Sequence, residues 1–198
     1  MPQVINLNCA GCGNPVSTAD KECKYCRRPI VISSFSSAYS MDIPLLNQYV
    51  KRDRQALKDN PDNQELNTSI AHCYLKLKMY DEALFSFKKA IEDNFDNSET
   101  YFYAATCLLK GKKAFVTSRT DIDKTMEYIN SALRIEARGI YYYFLAYIKY
   151  DFFERNGFNI EPNWEATLQI ATQSGLLQAD LIQLSDILQV TMPECLAV

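Results

Sequence analysis

Leu57-Lys58-Asp59-Asn60-Pro61-Asp62-Asn63 is echoed 34 residues later by Ile91-Glu92-Asp93-Asn94-Phe95-Asp96-Asn97. A self-match at that period marks a repeated unit of paired helices. Stacked pairs make a concave docking surface, so the echo moves the expectation from catalysis toward binding.

Working outward, the helical pattern begins at Asp42-Ile43-Pro44, with Asp42 as cap and Pro44 in the first turn. It predicts helices over 44–58, 64–77, 80–93, 98–110, 122–136, 139–154, 162–173 and 178–190. Turn signals separate them at Asn60-Pro61-Asp62, 94–97, Arg138-Gly139, Glu161-Pro162 and Ser174-Gly175. Short strands are expected only at Val4 to Leu7 and Ile30 to Ile32. The Ser-rich stretch 33–41 reads as a linker between an N-terminal unit, 1–32, and a helical domain, 42–192.

Segment 64–97 resembles a tetratricopeptide repeat. Ile70-Ala71 and Tyr74 fill the first-helix slots of that family, and Ala83, Phe87 and Ala90 fill the second-helix slots. Asn67 stands where Trp is usual, and Phe95 where Pro is usual. Small residues at Ala71, Ala83 and Ala90 let paired helices approach, and Tyr74 and Phe87 fill the space between pairs. A second copy starts at Ser98, with Ala104-Ala105, Leu108, Ile129 and Ala132 in the slots and about eight extra residues within 110–121. A weaker third copy spans 139–174, with Ala146 and Ala166 in the small slots. The resemblance covers about three-quarters of the chain. It implies an all-α tetratricopeptide helical-hairpin solenoid of about three repeats, with the last helix capping the open end.

In that family the first helices line the concave face. The matching positions here include Thr68, His72, Phe102, Thr106, Tyr143, Tyr147 and Tyr150. Members that clamp a C-terminal carboxylate carry Lys, Asn and Arg at such places, so this set implies an apolar peptide or protein segment instead. Eight aromatics within Tyr141 to Phe153 go round the whole helix, and core packing accounts for most of them. Cys73 and Cys107 share one repeat slot and read as small buried residues.

Cys9-Ala10-Gly11-Cys12 and Cys23-Lys24-Tyr25-Cys26 form two C-x2-C knuckles. Four thiolates at this spacing suit one tetrahedral Zn²⁺. The unit resembles a small zinc ribbon, with Arg27 where Gly is common in the second knuckle. All four metal positions are taken by protein, so the ion is expected to be structural.

Basic residues Lys24, Arg27 and Arg28, with Lys112, Lys113 and Arg119 of the insertion, are candidate phosphate contacts. The net charge of −3 gives no general pull toward nucleic acid or anionic membrane. No Gly-rich phosphate loop or nucleophile–base set is present, so an enzyme is not expected. The N-terminus lacks signal-peptide features and no apolar run is long enough to span a bilayer. Seven cysteines, an odd number, suit a reducing compartment and a cytoplasmic setting. The sequence therefore points to an interaction adaptor, monomeric or weakly self-associating. Its repeat groove is expected to capture one partner, and its zinc ribbon to contact a second or pack as an N-terminal lid. The alternative is a nucleic-acid-associated factor.

Overall fold

Helix-forming sequence begins and ends where side chains can satisfy the free backbone groups. Asp42, Asn63, Asn97, Ser118 and Asn163 each accept an N–H from the first turn of the helix they precede. Asn63 and Asn97 are the last residues of the two echoed stretches, so the echo is a repeated helix cap. The computed structural model describes residues 4–93 and 95–198. They fall into two compact units, Met1–Phe95 and Asp96–Val198.

The first unit starts with a two-stranded antiparallel sheet, β1 (Asn6–Asn8) and β2 (Pro15–Ser17). Four helices follow: α1 (Phe35–Tyr39), α2 (Ile43–Asp59), α3 (Gln64–Lys76) and α4 (Tyr80–Asp93). The expected strand at Ile30 to Ile32 does not form. Ile30 instead packs with Cys9, Val16 and Cys23, while Ile32 packs with Leu46, Tyr49 and Cys73. Nor is 33–41 a plain linker. Ser34 caps α1, and Phe35 and Ala38, three residues apart, bury one face of it. That short helix packs on α3.

The α3–α4 hairpin closes through Ala71, Ala83 and Ala90, all buried, with Tyr74 and Phe87 beside them. Asn67 is also buried; its amide donates to the Pro61 and Asn63 carbonyls, at 2.9 and 3.0 Å. A residue unlike the usual Trp thus pins the preceding turn.

The second unit contains α5 (Ser98–Leu108), α6 (Arg119–Ile135), α7 (Gly139–Ile148), α8 (Trp164–Gln173) and α9 (Gln178–Leu188). The inserted stretch neither extends α5 nor hangs free. It forms a 3-10 turn, Ala114–Val116, whose N–H groups bond to the Tyr147 hydroxyl and the Asp151 carboxylate. Beyond α7 the chain continues as a short π-helix, Lys149–Phe153. One expectation is corrected. Ala166 is exposed, and Thr167 and Ala171 make the buried contact of α8. Leu184 and Ile187 of α9 share a small void with Phe102, Tyr103 and Tyr141, so the capping helix lies beside α5 and α7.

Gly139 marks the tightest approach in the α7–α8 hairpin. A Cβ there would fall 2.6 Å from the Leu176 nitrogen and 2.7 Å from the Ala171 carbonyl oxygen. Both neighbours are backbone and cannot swing aside. Gly139→Ala is expected to lower stability by about 1–3 kcal/mol. A calorimetric melting temperature equal to that of the unmodified chain would contradict this close contact.

Candidate metal centre and partner-facing surfaces

Two turns of the same backbone design bring the four N-terminal cysteines together. In the first, the Cys9 N–H bonds the Asn14 carbonyl and the Gly13 N–H bonds the Cys9 carbonyl. In the second, the Cys23 N–H bonds the Arg28 carbonyl and the Arg27 N–H bonds the Cys23 carbonyl. Gly13 and Arg27 occupy the matching position, with φ of 76° and 58°. The departure noted at Arg27 is therefore a non-glycine residue held in the left-handed region.

The four Sγ atoms lie within 4.8 Å of one another. Cys9 and Cys26 are 3.5 Å apart, and Cys12 and Cys23 are 3.7 Å apart. A tetrahedron with metal–sulfur bonds near 2.3 Å has edges of about 3.8 Å, so the sulfurs fit a zinc-sized ion. Donors already point at them: the Gly11 N–H at Cys9 and the Asn14 amide at Cys12, each at 3.4 Å. The Asn14 backbone and side-chain donors pull the Cys12 thiol down to about 6. At Cys26 the Arg28 N–H favours the thiolate, but desolvation and the neighbouring sulfurs push it up to about 12. Four close thiols cannot all ionise without a cation among them, and such a cation would act as a structural cross-link.

The candidate phosphate contacts are divided between the units. Lys24 lies over the Tyr25 ring at 5.2 Å, and Arg28 donates to the Gly11 carbonyl. In the second unit Arg119 pairs with Asp123 at 2.8 Å and sits over Phe153, while Lys112 and Lys113 are exposed.

The expected open groove is corrected. Thr68, His72, Phe102, Thr106, Tyr143 and Tyr147 are at most 8% exposed, and Tyr150 is half-buried. Their own chain fills the face. His72 packs against Phe35 of α1 and Phe87 of α4. Tyr143 donates to the Leu196 carbonyl at 3.2 Å, Thr106 donates to the Tyr103 carbonyl, and Tyr150 abuts Trp164. The local helix α1 and the C-terminal turn could not be foreseen from repeat spacing.

The exposed aromatic surface lies elsewhere. Phe85 on α4 is 65% exposed and borders a cleft of about 500 Å³. Leu57, Pro61, Ile70 and Tyr74 also line it, with Lys58 and Glu82 among its charged residues. Phe85 was missed because packing slots were followed instead of the outward positions between them. Asp53 was missed too, although Leu46, Tyr49 and Asp53 recur at helical spacing and so share one buried face.

Three tests arise here. Protein purified without added metal is expected to carry about one zinc per chain, and Cys9→Ser to lose it, by elemental analysis. Arg27→Gly should raise the melting temperature, since it relieves a left-handed residue that costs roughly 1 kcal/mol. The third test concerns His72, whose burial lowers its pKa from 6.5 to about 3. As pH falls, the unfolded chain takes up this proton first. The contribution of the neutral ring is complete above pH 6.5 and is lost toward pH 3, by about 1.4 kcal/mol per unit. The buried Asp53, whose pKa is raised by desolvation, works in the opposite sense. The diagnostic quantity is therefore the difference between unmodified and His72→Gln proteins in unfolding free energy, from pH 7.5 to 5.5. A constant difference would refute the buried neutral histidine.

Comparison with known proteins agrees with the hairpin geometry. A family model described as Tetratricopeptide repeat matches residues 53–105. No curated protein matches the chain. A solved structure titled "MamA MSR-1 C2" has a TM-score of 0.52 at 17% identity, covering 71% of this chain and 89% of that one. At that identity the likeness is one of fold. The fold is all-α, built of tetratricopeptide helical hairpins and preceded by a small four-cysteine unit.

Proposed function

We propose that this protein is a non-catalytic interaction adaptor in which a zinc-held N-terminal unit and tetratricopeptide hairpins each contact protein. The observation that carries the reading is the cleft beside Phe85. It combines apolar lining residues, an exposed aromatic side chain and charged neighbours, which is the composition of a protein-binding patch. The ligand suited to it is an apolar side chain on a helix or extended segment, in keeping with the absence of a carboxylate clamp. The clustered thiols of Cys9, Cys12, Cys23 and Cys26 support a structural zinc ion, which would keep the N-terminal surface in shape. A reducing, cytoplasmic setting suits the seven cysteines, none of which is in a disulfide. Among the described residues, no helix is long and apolar enough to cross a membrane.

Affinity capture from lysate, with quantitative mass spectrometry and with and without nuclease, tests the reading. Phe85→Ser is expected to lose the captured proteins by a factor of 10 or more, as for an aromatic anchor worth about 2 kcal/mol. Its melting temperature should not change, because the side chain is exposed. Equal recovery by Phe85→Ser would remove this cleft from the interface. Capture abolished by nuclease and steeply weakened by salt would instead support phosphate contacts through the basic residues.

A further inference from the structure

Among the described residues, no strand pairs with the outer edge of β1. In the β1–β2 ladder, Ile5 accepts from the Thr18 N–H and Cys9 donates to the Asn14 carbonyl, so residues 5, 7 and 9 face β2. The N–H and C=O of Asn6 and Asn8 then point away from it. Pro15, which has no N–H, stands opposite Asn8, as expected at a position without ladder bonds. Along this edge, between β1 and α2, runs a cleft of about 540 Å³.

Arg52 of α2 lines the same cleft, with its side chain only 9% exposed. Its Nε donates to Asp53, and Nη2 lies 2.5 Å from the same carboxylate oxygen. Among the described residues Nη1 is buried without a hydrogen-bond partner, while Nη2 has only that carboxylate contact. Buried guanidinium donors call for an acceptor. Asp53 already balances the charge of Arg52, and Lys51 and Asp59 offset one another in the cleft lining. A neutral acceptor, a carbonyl, is therefore favoured over an anion. Asn6, Asn8, Gln48, Gln55 and Asn60 add a lining of uncharged amides.

We propose that this cleft binds an extended, uncharged peptide segment of a partner protein as a third strand on β1, with a backbone carbonyl of that segment seated on Arg52. Asn6 and Asn8 supply paired donors and acceptors at strand spacing, and the neighbouring backbone is recognised irrespective of its side chains. The inference rests on reading the four-cysteine unit as a metal-held contact module. It adds the conformation and chemistry of that module's ligand.

The test uses full-length, zinc-loaded, ¹⁵N-labelled protein and an acetyl- and amide-capped pentapeptide alternating threonine and valine. The peptide is expected to shift the Asn6 and Asn8 amide resonances and to slow their exchange with solvent. Arg52→Gln and, separately, Asn8→Pro should each weaken binding about tenfold, which is about 1.4 kcal/mol. Asn8→Pro deletes the outward donor and leaves the bonds to β2 in place, so it serves if Arg52→Gln perturbs the fold. A peptide with N-methylated backbone should fail to bind. The proposal is overturned if Asn6 and Asn8 do not respond up to about 1 mM peptide. It is equally overturned if the N-methylated peptide binds as well, or if inorganic phosphate alone shifts these amides. Zinc is measured on the same sample: one zinc with no peptide response refutes the cleft alone, whereas missing zinc refutes the metal-held module.

Discussion

A single buried carboxylate organises the first unit. Asp53 is fully buried on α2 and accepts the Ser69 hydroxyl of α3 at 2.7 Å. The Ser69 oxygen in turn accepts the Ile32 N–H at 3.0 Å. Arg52 balances the charge and lies over the Tyr49 ring, and the Tyr49 hydroxyl donates to the Pro29 carbonyl. Burial of an unpaired carboxylate would be costly, so the partners of Asp53 are constrained together. Desolvation raises its pKa while Arg52 opposes that rise. The position at which the cysteine unit joins the helices is fixed by this requirement, because Pro29 and Ile32 contribute backbone groups to it.

The N-terminal unit has little else to hold it. Its core is Cys9, Val16, Cys23 and Ile30, with Leu7, Cys26 and Val31 packed alongside. Three of these are cysteines of the sulfur cluster, so apolar burial and metal binding draw on the same residues. A unit of this size gains too little from burial alone to offset chain entropy. The two knuckles solve their geometry alike, but one uses glycine and the other arginine at the left-handed position. Arg27 sits in a conformation that a side chain makes less favourable, and no contact among the described residues explains why arginine is used there.

The architecture was legible where the determinant is local. Asn63 and Asn97 are caps, Ala71, Ala83 and Ala90 are crossings, and C-x2-C spacing brings sulfurs together; each follows from residues a few positions apart. The docking face was not legible, because its burial depends on segments outside the repeat. Phe35 lies 37 residues before His72, and Leu196 lies 53 after Tyr143, and no period links them. Arg52 illustrates the same limit. Its position on α2 can be read from the sequence, but its unsatisfied Nη1 and its place beside β1 require the fold.

The insertion between α5 and α6 has a consequence for how the second unit unfolds. Arrays of hairpins ordinarily come apart one repeat at a time, since each touches only its neighbours. Here the Phe115 N–H is held by Asp151 beyond α7, the Ala114 N–H by Tyr147, and Arg155 lies over the Phe115 ring at 4.4 Å. Releasing the α7–α8 hairpin would break both of these bonds and expose the inserted turn. The extra residues thus work as a cross-brace that converts two adjacent hairpins into one cooperative folding unit.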